Sequence, residues 1–554
     1  MYNKLMSKKS YFIAAVIITL LGIGLRFTAL STIPTGIYWD EAAILADAKK
    51  VVQTGSDLHG LSPWHLIYPS YGDYKLAPYI WLTSGFVSIM GVNIFSLRLP
   101  SALAGVLTII IAGRLALLLK KQHARLFSLA TMLVVAISPW GILFSRAGFE
   151  GNVAEMFLCL SLLLVVENQK NHLAVKWRYL FLTLASLSAG LATWTYFSVR
   201  FVFPLVLLAL SGYFYLQQKN YRQLLLTLVL GFSFFTVMTI AMTQASFYRE
   251  YTTLCLSTPS ILNDDQNIAA RVNQARQLSG NTFFSRLIFN HKTFMTATLI
   301  RHIAAHLNPN YLFLSGDANL RHSTGAHGLF LLIFIFFLPW GIITLWQNQR
   351  YLLWFLGCWW LVALIPASVP LEGVPHALRT LNALAPASMI IAAGLTALLT
   401  HPQFKNFIYV GIFIGGLLIN LGEFCWYYYY LYPTLSGSSW QESNQELAAL
   451  VTQKAALHPR VYLDNLSNVF YLWVFLQDSV NLQNLPPSEN FNFNSYQNIF
   501  FNQLPNNATA IPSNSYLLGA QEPLSKHLQE TKLDYRLSEQ IECGDEHYLG
   551  VIIN

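Results

Sequence analysis

Apolar residues run in long stretches through the first 432 positions, and polar or charged side chains are confined to the breaks between them. Such stretches lack the two-residue alternation of a half-buried strand and the narrow stripe of an amphipathic helix, so they predict helices that are apolar all round. A bilayer-spanning helix needs about 20 mostly apolar residues. Twelve runs approach that requirement: 11–30, 79–92, 99–119, 127–144, 153–166, 179–196, 201–216, 224–242, 329–346, 352–369, 384–399 and 407–430. Beyond residue 432 the pattern changes. Short apolar segments at 461–463, 499–501, 516–518 and 548–552 read as strands, 440–456 and 522–531 as helices, and the Pro/Asn clusters at 485–494 and 504–514 as loops. The expectation is a polytopic α-helical membrane domain over 1–432 and a small α/β domain over 433–554.

Composition supports the membrane reading: 54% of residues are hydrophobic and 11% charged, against about 25% charged in soluble domains. The formal charge of +8 is split. Up to residue 432 there are 29 basic and 14 acidic residues, a balance of +15; from Pro433 onward there are 5 and 12, a balance of −7. A basic excess confined to the apolar part argues for membrane topology rather than nucleic-acid binding. The five cysteines show no paired spacing, which disfavours both a disulfide framework and a cysteine metal site. The first run has a basic flank (Lys4, Lys8, Lys9) and no small-residue cleavage site, so it reads as a retained signal anchor.

Basic loops face the cytoplasm. The five basic linkers at 120–125, 170–178, 219–222, 347–350 and 401–405 all fall inside if the short run 79–92 lies along the outer face instead of crossing. That threading has eleven spans, a cytoplasmic N-terminus and an extracytoplasmic C-terminal domain, in a plasma (inner) membrane. The first outer loop is then 31–98 and a long outer loop 243–328. The polar segments gather outside.

Five outer segments carry chemistry. Asp40 and Glu41, behind Tyr38 and Trp39, suit the positive end of a helix as ordinary first-turn acids; alternatively one is a general base at the membrane surface. Lys75, near Asp73, either snorkels to headgroups or steadies a phosphate. Arg146 and Glu150, four apart, form an ion pair or line a cavity with Asn152. Tyr196 and Arg200 add a further cation. Arg321 and Arg379 suit bidentate phosphate binding, or are ordinary interfacial arginines. Asp317, His322 and His376 accompany them, and His322, His327 and His376 raise the question of zinc. With no His-x-x-x-His or Cys-x-x-Cys framework, the expectation is no metal and no cofactor.

Together these segments resemble a family. Trp39-Asp40-Glu41-Ala42 directly after the first span is similar to the first outer loop of the protein O-mannosyltransferase and aminoarabinose (lipid A) transferase superfamily, membrane glycosyltransferases of the GT-C type (glycosyltransferase family 39-like). Leu97-Arg98-Leu99-Pro100-Ser101-Ala102-Leu103-Ala104-Gly105, Ser138-Pro139-Trp140 running into 146–152, and 316–322 extend the resemblance over most of 11–432. It implies a polyprenyl- or dolichyl-phosphate-sugar donor, used on the outer face and transferred with inversion to an acceptor hydroxyl. It implies that Asp40 is the catalytic aspartate and Glu41 a supporting neighbour, that no metal is needed, and that helices within the first outer loop lie along the membrane above the donor's entry. Tyr74-Lys75-Leu76-Ala77-Pro78 departs from the Lys-Pro-Pro element of the aminoarabinose branch. Two rivals stay open: a flippase for a lipid-linked sugar, which calls for ionisable groups at mid-membrane, and a non-catalytic envelope scaffold.

Overall fold

The computed structural model describes residues 6–169, 174–218, 221–257, 259–402, 407–464, 466–483, 485, 493–505, 510–543 and 546–554. Lys4, Lys170, Lys219, Lys405 and parts of the 485–494 and 504–514 loops lie outside the described residues. Each of the twelve apolar runs is helical over most of its length. Among the described residues six helices are long and apolar enough to cross a bilayer, or seven if the bent pair Ala124–Ile137 and Pro139–Ser145 is one span. Helices Glu150–Asn168, Val175–Thr195 and Tyr221–Thr243 add 19, 21 and 23 residues of mostly apolar sequence. The chain is an integral membrane protein.

Three local features follow from sequence chemistry. The run at 79–92 forms Ala77–Met90, 14 residues with Pro78 in its first turn. At 1.5 Å per residue that is about 21 Å, well short of the hydrocarbon core. The bend of 57° at Ser138–Pro139 follows from Pro139, which cannot donate to the carbonyl one turn back. Third, Phe337–Ser368 covers two apolar runs and leaves helical geometry at Gln349 (φ −150°, ψ 60°), within the basic link 347–350. Its first arm packs on Leu384–Thr400, where Gly341 and Gly394 bring the two backbones into direct contact and any Cβ would collide with the opposite main chain.

The fold separates into two compact units. One comprises 1–28, 101–244 and 248–428 and contains most of the apolar helices; the other joins 29–100 and 245–247 to 429–554. The second unit has a six-stranded mixed sheet whose spatial order is Ser495–Tyr496, Ile499–Phe501, Val461–Asp464, Tyr516–Ala520, Glu546–Ile553 and Tyr535–Cys543. Val461–Asp464 pairs in parallel with both neighbours, and the other pairings are antiparallel. Helix Gln521–Thr531 presents Leu524 and Leu528, four apart on one face, to Tyr462, Leu517 and Val551. All four strands and both helices expected in this region are present, joined by Ser495–Tyr496 and Tyr535–Cys543.

Candidate active site

Helix Trp39–Thr54 carries Asp40 and Glu41 in its first turn. Its N-terminal cap does not come from its own start: Tyr38 caps nothing with its side chain, and the amide of Trp39 donates to Oε1 of Gln441 at 2.9 Å. Beside it stands the hairpin Ile67–Ser70/Asp73–Leu76. The hairpin aims two donors at Asp40. Tyr71 donates its hydroxyl to Oδ1 at 2.5 Å, and Lys75 Nζ bonds to the same oxygen while also reaching Asp73 Oδ2 at 2.6 Å. Burial pushes the Tyr71 hydroxyl well above the usual phenol range; the Lys75 charge opposes this and the Asp40 charge adds to it. Tyr71 therefore stays a donor. Lys75 is buried, but the Asp40 side chain remains 26% exposed. That leaves a positioned carboxylate with access to a reactant.

Glu41 turns the other way. It is fully buried and meets Arg98 side-on, with Nε to Oε1 at 3.0 Å and Nη2 to Oε2 at 3.1 Å. Arg98 spends its remaining donors on the carbonyls of Leu30, Pro34 and Gly36, at 3.2, 2.9 and 2.7 Å. Its guanidinium lies 5.8 Å from the ring centre of Trp440. One buried residue thus ties the 30–36 turn to the helix that bears Asp40. Gly36 is needed here: its φ is +65°, and a Cβ would approach the Glu442 backbone to 2.7 Å.

The C-terminal domain grips the same helix. Lys49 Nζ donates to the carbonyls of Phe475 and Gln477, both at 2.8 Å, and Lys50 Nζ to that of Leu482 at 2.5 Å. Burial lowers the Lys49 ammonium to about 8, against the opposing charge of Asp478. Trp473 Nε1 donates to the carbonyl of Ile37 at 3.1 Å. The C-terminal domain is therefore part of what holds the Asp40 helix.

The other polar outer segments assemble within the first unit. His322 lies beside Phe144 and Phe149, each with ring centres at 5.9 Å, and beside His376 at 4.5 Å. Asp317 Oδ2 accepts the amide of Ala377 at 2.8 Å and lies 3.2 Å from His322 Nδ1. Asn382 reaches Ser198 Oγ at 3.2 Å, and Leu378 and Tyr196 pack over Gly151. Segments 145–152, 196–200, 316–322 and 376–382 are thus one cluster. Burial opposes ionisation of Asp317, but the hydrogen bond and charge of His322 and two backbone amides outweigh it, holding the carboxyl below its ordinary range. Burial, reinforced by His322 and Arg379, drives His376 far below the usual imidazole range. Burial likewise lowers His306 to about 4.

Solved structures share the architecture. ArnT from Cupriavidus metallidurans in the apo state aligns over 98% of this chain and 98% of its own, with TM-score 0.52 and 13% identity. The same protein bound to undecaprenyl phosphate aligns over 98% and 97%, with TM-score 0.50 and 12% identity. Archaeal oligosaccharyltransferase AglB from Archaeoglobus fulgidus, in complex with an inhibitory peptide and a dolichol-phosphate, aligns over 92% and 69%, with TM-score 0.50 and 14% identity. The chain has a GT-C-like fold. No family model matches it, and no curated protein matches its sequence.

Within this GT-C-like fold the cations differ in what they hold. Arg146 is fully buried and donates to the carbonyls of Leu25 and Arg26, both at 3.1 Å, at the end of helix Lys8–Phe27, and to the Tyr428 hydroxyl at 3.2 Å. That is a helix-end contact. Asn152 binds Ser101 through its carbonyl and hydroxyl, and Glu150 opens helix Glu150–Asn168. Arg321 bonds Asn319 Oδ1 at 3.4 Å. Arg200 donates Nε to the Thr193 carbonyl at 3.1 Å and lies over Phe197 and Tyr251. Its Nη2, like Arg379 Nη1, is buried with no hydrogen-bond partner among the described residues. Sequence reasoning gave Tyr71, Arg98 and Gln441 no role. Arg98 stands inside the 97–105 segment and Tyr71 four residues before Lys75, whereas Gln441 carries no signal.

Proposed function

We propose that the protein is an outer-face glycosyltransferase that moves one sugar from a polyprenyl- or dolichyl-phosphate carrier to an acceptor hydroxyl, with inversion. The observation that carries this reading is Asp40: a partly exposed carboxylate, fixed by Tyr71 and Lys75 on a helix start. In the reaction Asp40 takes the hydroxyl proton as the acceptor oxygen bonds to the anomeric carbon. The bond from that carbon to the phosphate oxygen breaks, and the electron pair leaves with the lipid phosphate. The growing negative charge calls for preorganised cations. Lys75, in direct contact with Asp40, fills that role. No cofactor enters the step, because the lipid-linked sugar is a co-substrate. The polyprenyl phosphates bound to ArnT and AglB support the donor class. Acceptor recognition falls to the outer segments and the C-terminal domain.

The direct test is purified protein in proteoliposomes with a polyprenyl-phosphate sugar and hydroxyl acceptors, with release of polyprenyl phosphate as the readout. Donor that crosses the bilayer without being consumed would establish a transporter, and no change in the donor at all a scaffold. Lys75→Met is expected to raise the donor KM by about 10- to 100-fold, the worth of one charge-assisted hydrogen bond. An unchanged donor KM would remove Lys75 from the phosphate site.

The accompanying topology has eleven spans, an N-terminus in the cytoplasm and residues 433–554 outside, in the plasma (inner) membrane. Alkaline phosphatase, which folds only outside the cytoplasm, is expected to be active when fused after Asn554 and inactive when fused after Gln122. The reverse pattern would overturn the orientation.

A further inference from the structure

We propose that Asp317, His322 and His376 bind a divalent transition-metal ion of the zinc class, as a three-ligand site with an exchangeable fourth position. The donor atoms of these side chains all lie within 4.8 Å of one another. Tetrahedral zinc, with bonds of about 2.0–2.1 Å, sets its ligand atoms roughly 3.3 Å apart. Asp317 Oδ2 and His322 Nδ1 already have that spacing, at 3.2 Å. The tilted rings of His322 and His376, with centres 4.5 Å apart, need only a small rotation of His376 to close the triangle. Two imidazoles and one carboxylate favour zinc, cobalt or nickel over calcium or magnesium, which prefer all-oxygen shells.

A metal site also needs an outer layer that orients its ligands, and one is present. Asp317 Oδ1 accepts the amide of Asn319 at 2.9 Å, and Oδ2 that of Ala377 at 2.8 Å, which fixes the carboxylate plane. The backbone of the ligand loop is pinned by Ser323 Oγ donating to the Asp317 carbonyl and by the His322 amide donating to the Asn319 carbonyl, both at 2.8 Å. The main chain of His376 donates to His306 Nε2 at 3.1 Å. Two contacts have to give way: the His322 Nδ1–Asp317 Oδ2 hydrogen bond, which coordination of both atoms replaces, and a long one at His376. The amide of Arg379 reaches His376 Nδ1 at 3.3 Å, and coordination through either ring nitrogen ends that long bond. His322 and His376 are 54 residues apart, so no linear spacing announces the site. An ion here would fasten the 316–327 loop to the segment at 370–379.

The test is metal content, which needs no sugar donor and stands apart from the transferase reading. Tag-free, full-length protein in detergent is loaded with Zn²⁺, desalted and analysed by elemental mass spectrometry. One zinc per chain is expected. His322→Ala and His376→Ala are each expected to weaken binding more than tenfold, whereas His547→Ala, on the exposed edge of the C-terminal domain, leaves it unchanged. Wild-type protein titrated with Co²⁺ supplies a readout that needs no variant to fold: four-coordinate cobalt gives intense visible bands, six-coordinate cobalt weak ones. No retained zinc, equal zinc in wild type and the His322→Ala/His376→Ala double variant, or a six-coordinate cobalt spectrum would each overturn the proposal.

Discussion

Asp40→Asn is expected to lower the rate of sugar transfer by about 10²–10⁴-fold, the usual contribution of a positioned general base, with little change in donor KM. The substitution keeps shape and hydrogen-bonding capacity but cannot take a proton. Tyr71 and Lys75 both donate to Asp40 Oδ1, and the amide oxygen of Asn can accept from both, so the local fold should persist. Because Lys75 also has Asp73 at 2.6 Å, its ammonium does not become an orphan. Asp73→Asn is the internal control. Its carboxylate touches the same lysine, yet it is expected to change the rate by less than about tenfold, since the proton acceptor stays in place. Measured in proteoliposomes with monodispersity checked, Asp40→Asn activity within a few-fold of wild type would withdraw the general-base role. Equal losses in both variants would reassign the site to phosphate binding through Lys75.

What was legible in the sequence follows from the range of each physical cause. A helix in lipid must be apolar all round, so the runs that became Ile94–Leu119 and Leu384–Thr400 stand out one residue at a time. The exclusion of 79–92 from the spans needed only its length and the charge of its neighbours. The strands at 461–464 and 516–520 were readable because a strand buried on both faces is a short continuous apolar block. The place of Asp40 in the first turn of a helix was readable from pattern alone; the catalytic role proposed for it comes from motif resemblance. Contacts between distant positions leave no such trace. The Asp40 helix takes its cap from Gln441 and its lysine acceptors from 475–482, pairings spanning hundreds of residues. Arg146 is a further case: the sequence offers it as a partner of Glu150 or a cavity-lining residue, and its donors to the carbonyls of Leu25 and Arg26 join positions about 120 residues apart, which no local pattern records.

Arg98 is expected to be the most sensitive position for stability. It is fully buried, and its five hydrogen bonds meet both oxygens of Glu41 and three backbone carbonyls of the 30–36 turn. Arg98→Ala leaves a buried carboxyl and three carbonyls without their donor, and breaking a buried pair from one side costs about 3–5 kcal/mol. Arg98→Lys should rescue little, because an ammonium cannot reproduce the side-on fork and reach the turn as well. Glu41→Gln should be milder than Arg98→Ala: the amide oxygen still accepts from the guanidinium, and all three turn carbonyls keep their donor. The two sites are in contact, so their effects should not add; Arg98→Met with Glu41→Met should destabilise by less than the sum of the singles, since neither partner is left stranded. Thermal unfolding in detergent, followed by tryptophan fluorescence, reads all six variants, the two single Met substitutions included. Trp440 supplies a local probe, because its ring sits 5.8 Å from the guanidinium. A midpoint for Arg98→Ala within a degree or two of wild type would mean that the turn and the Asp40 helix are held by their other bonds. In that case loss of transfer in Arg98→Ala would have to arise from chemistry rather than from position.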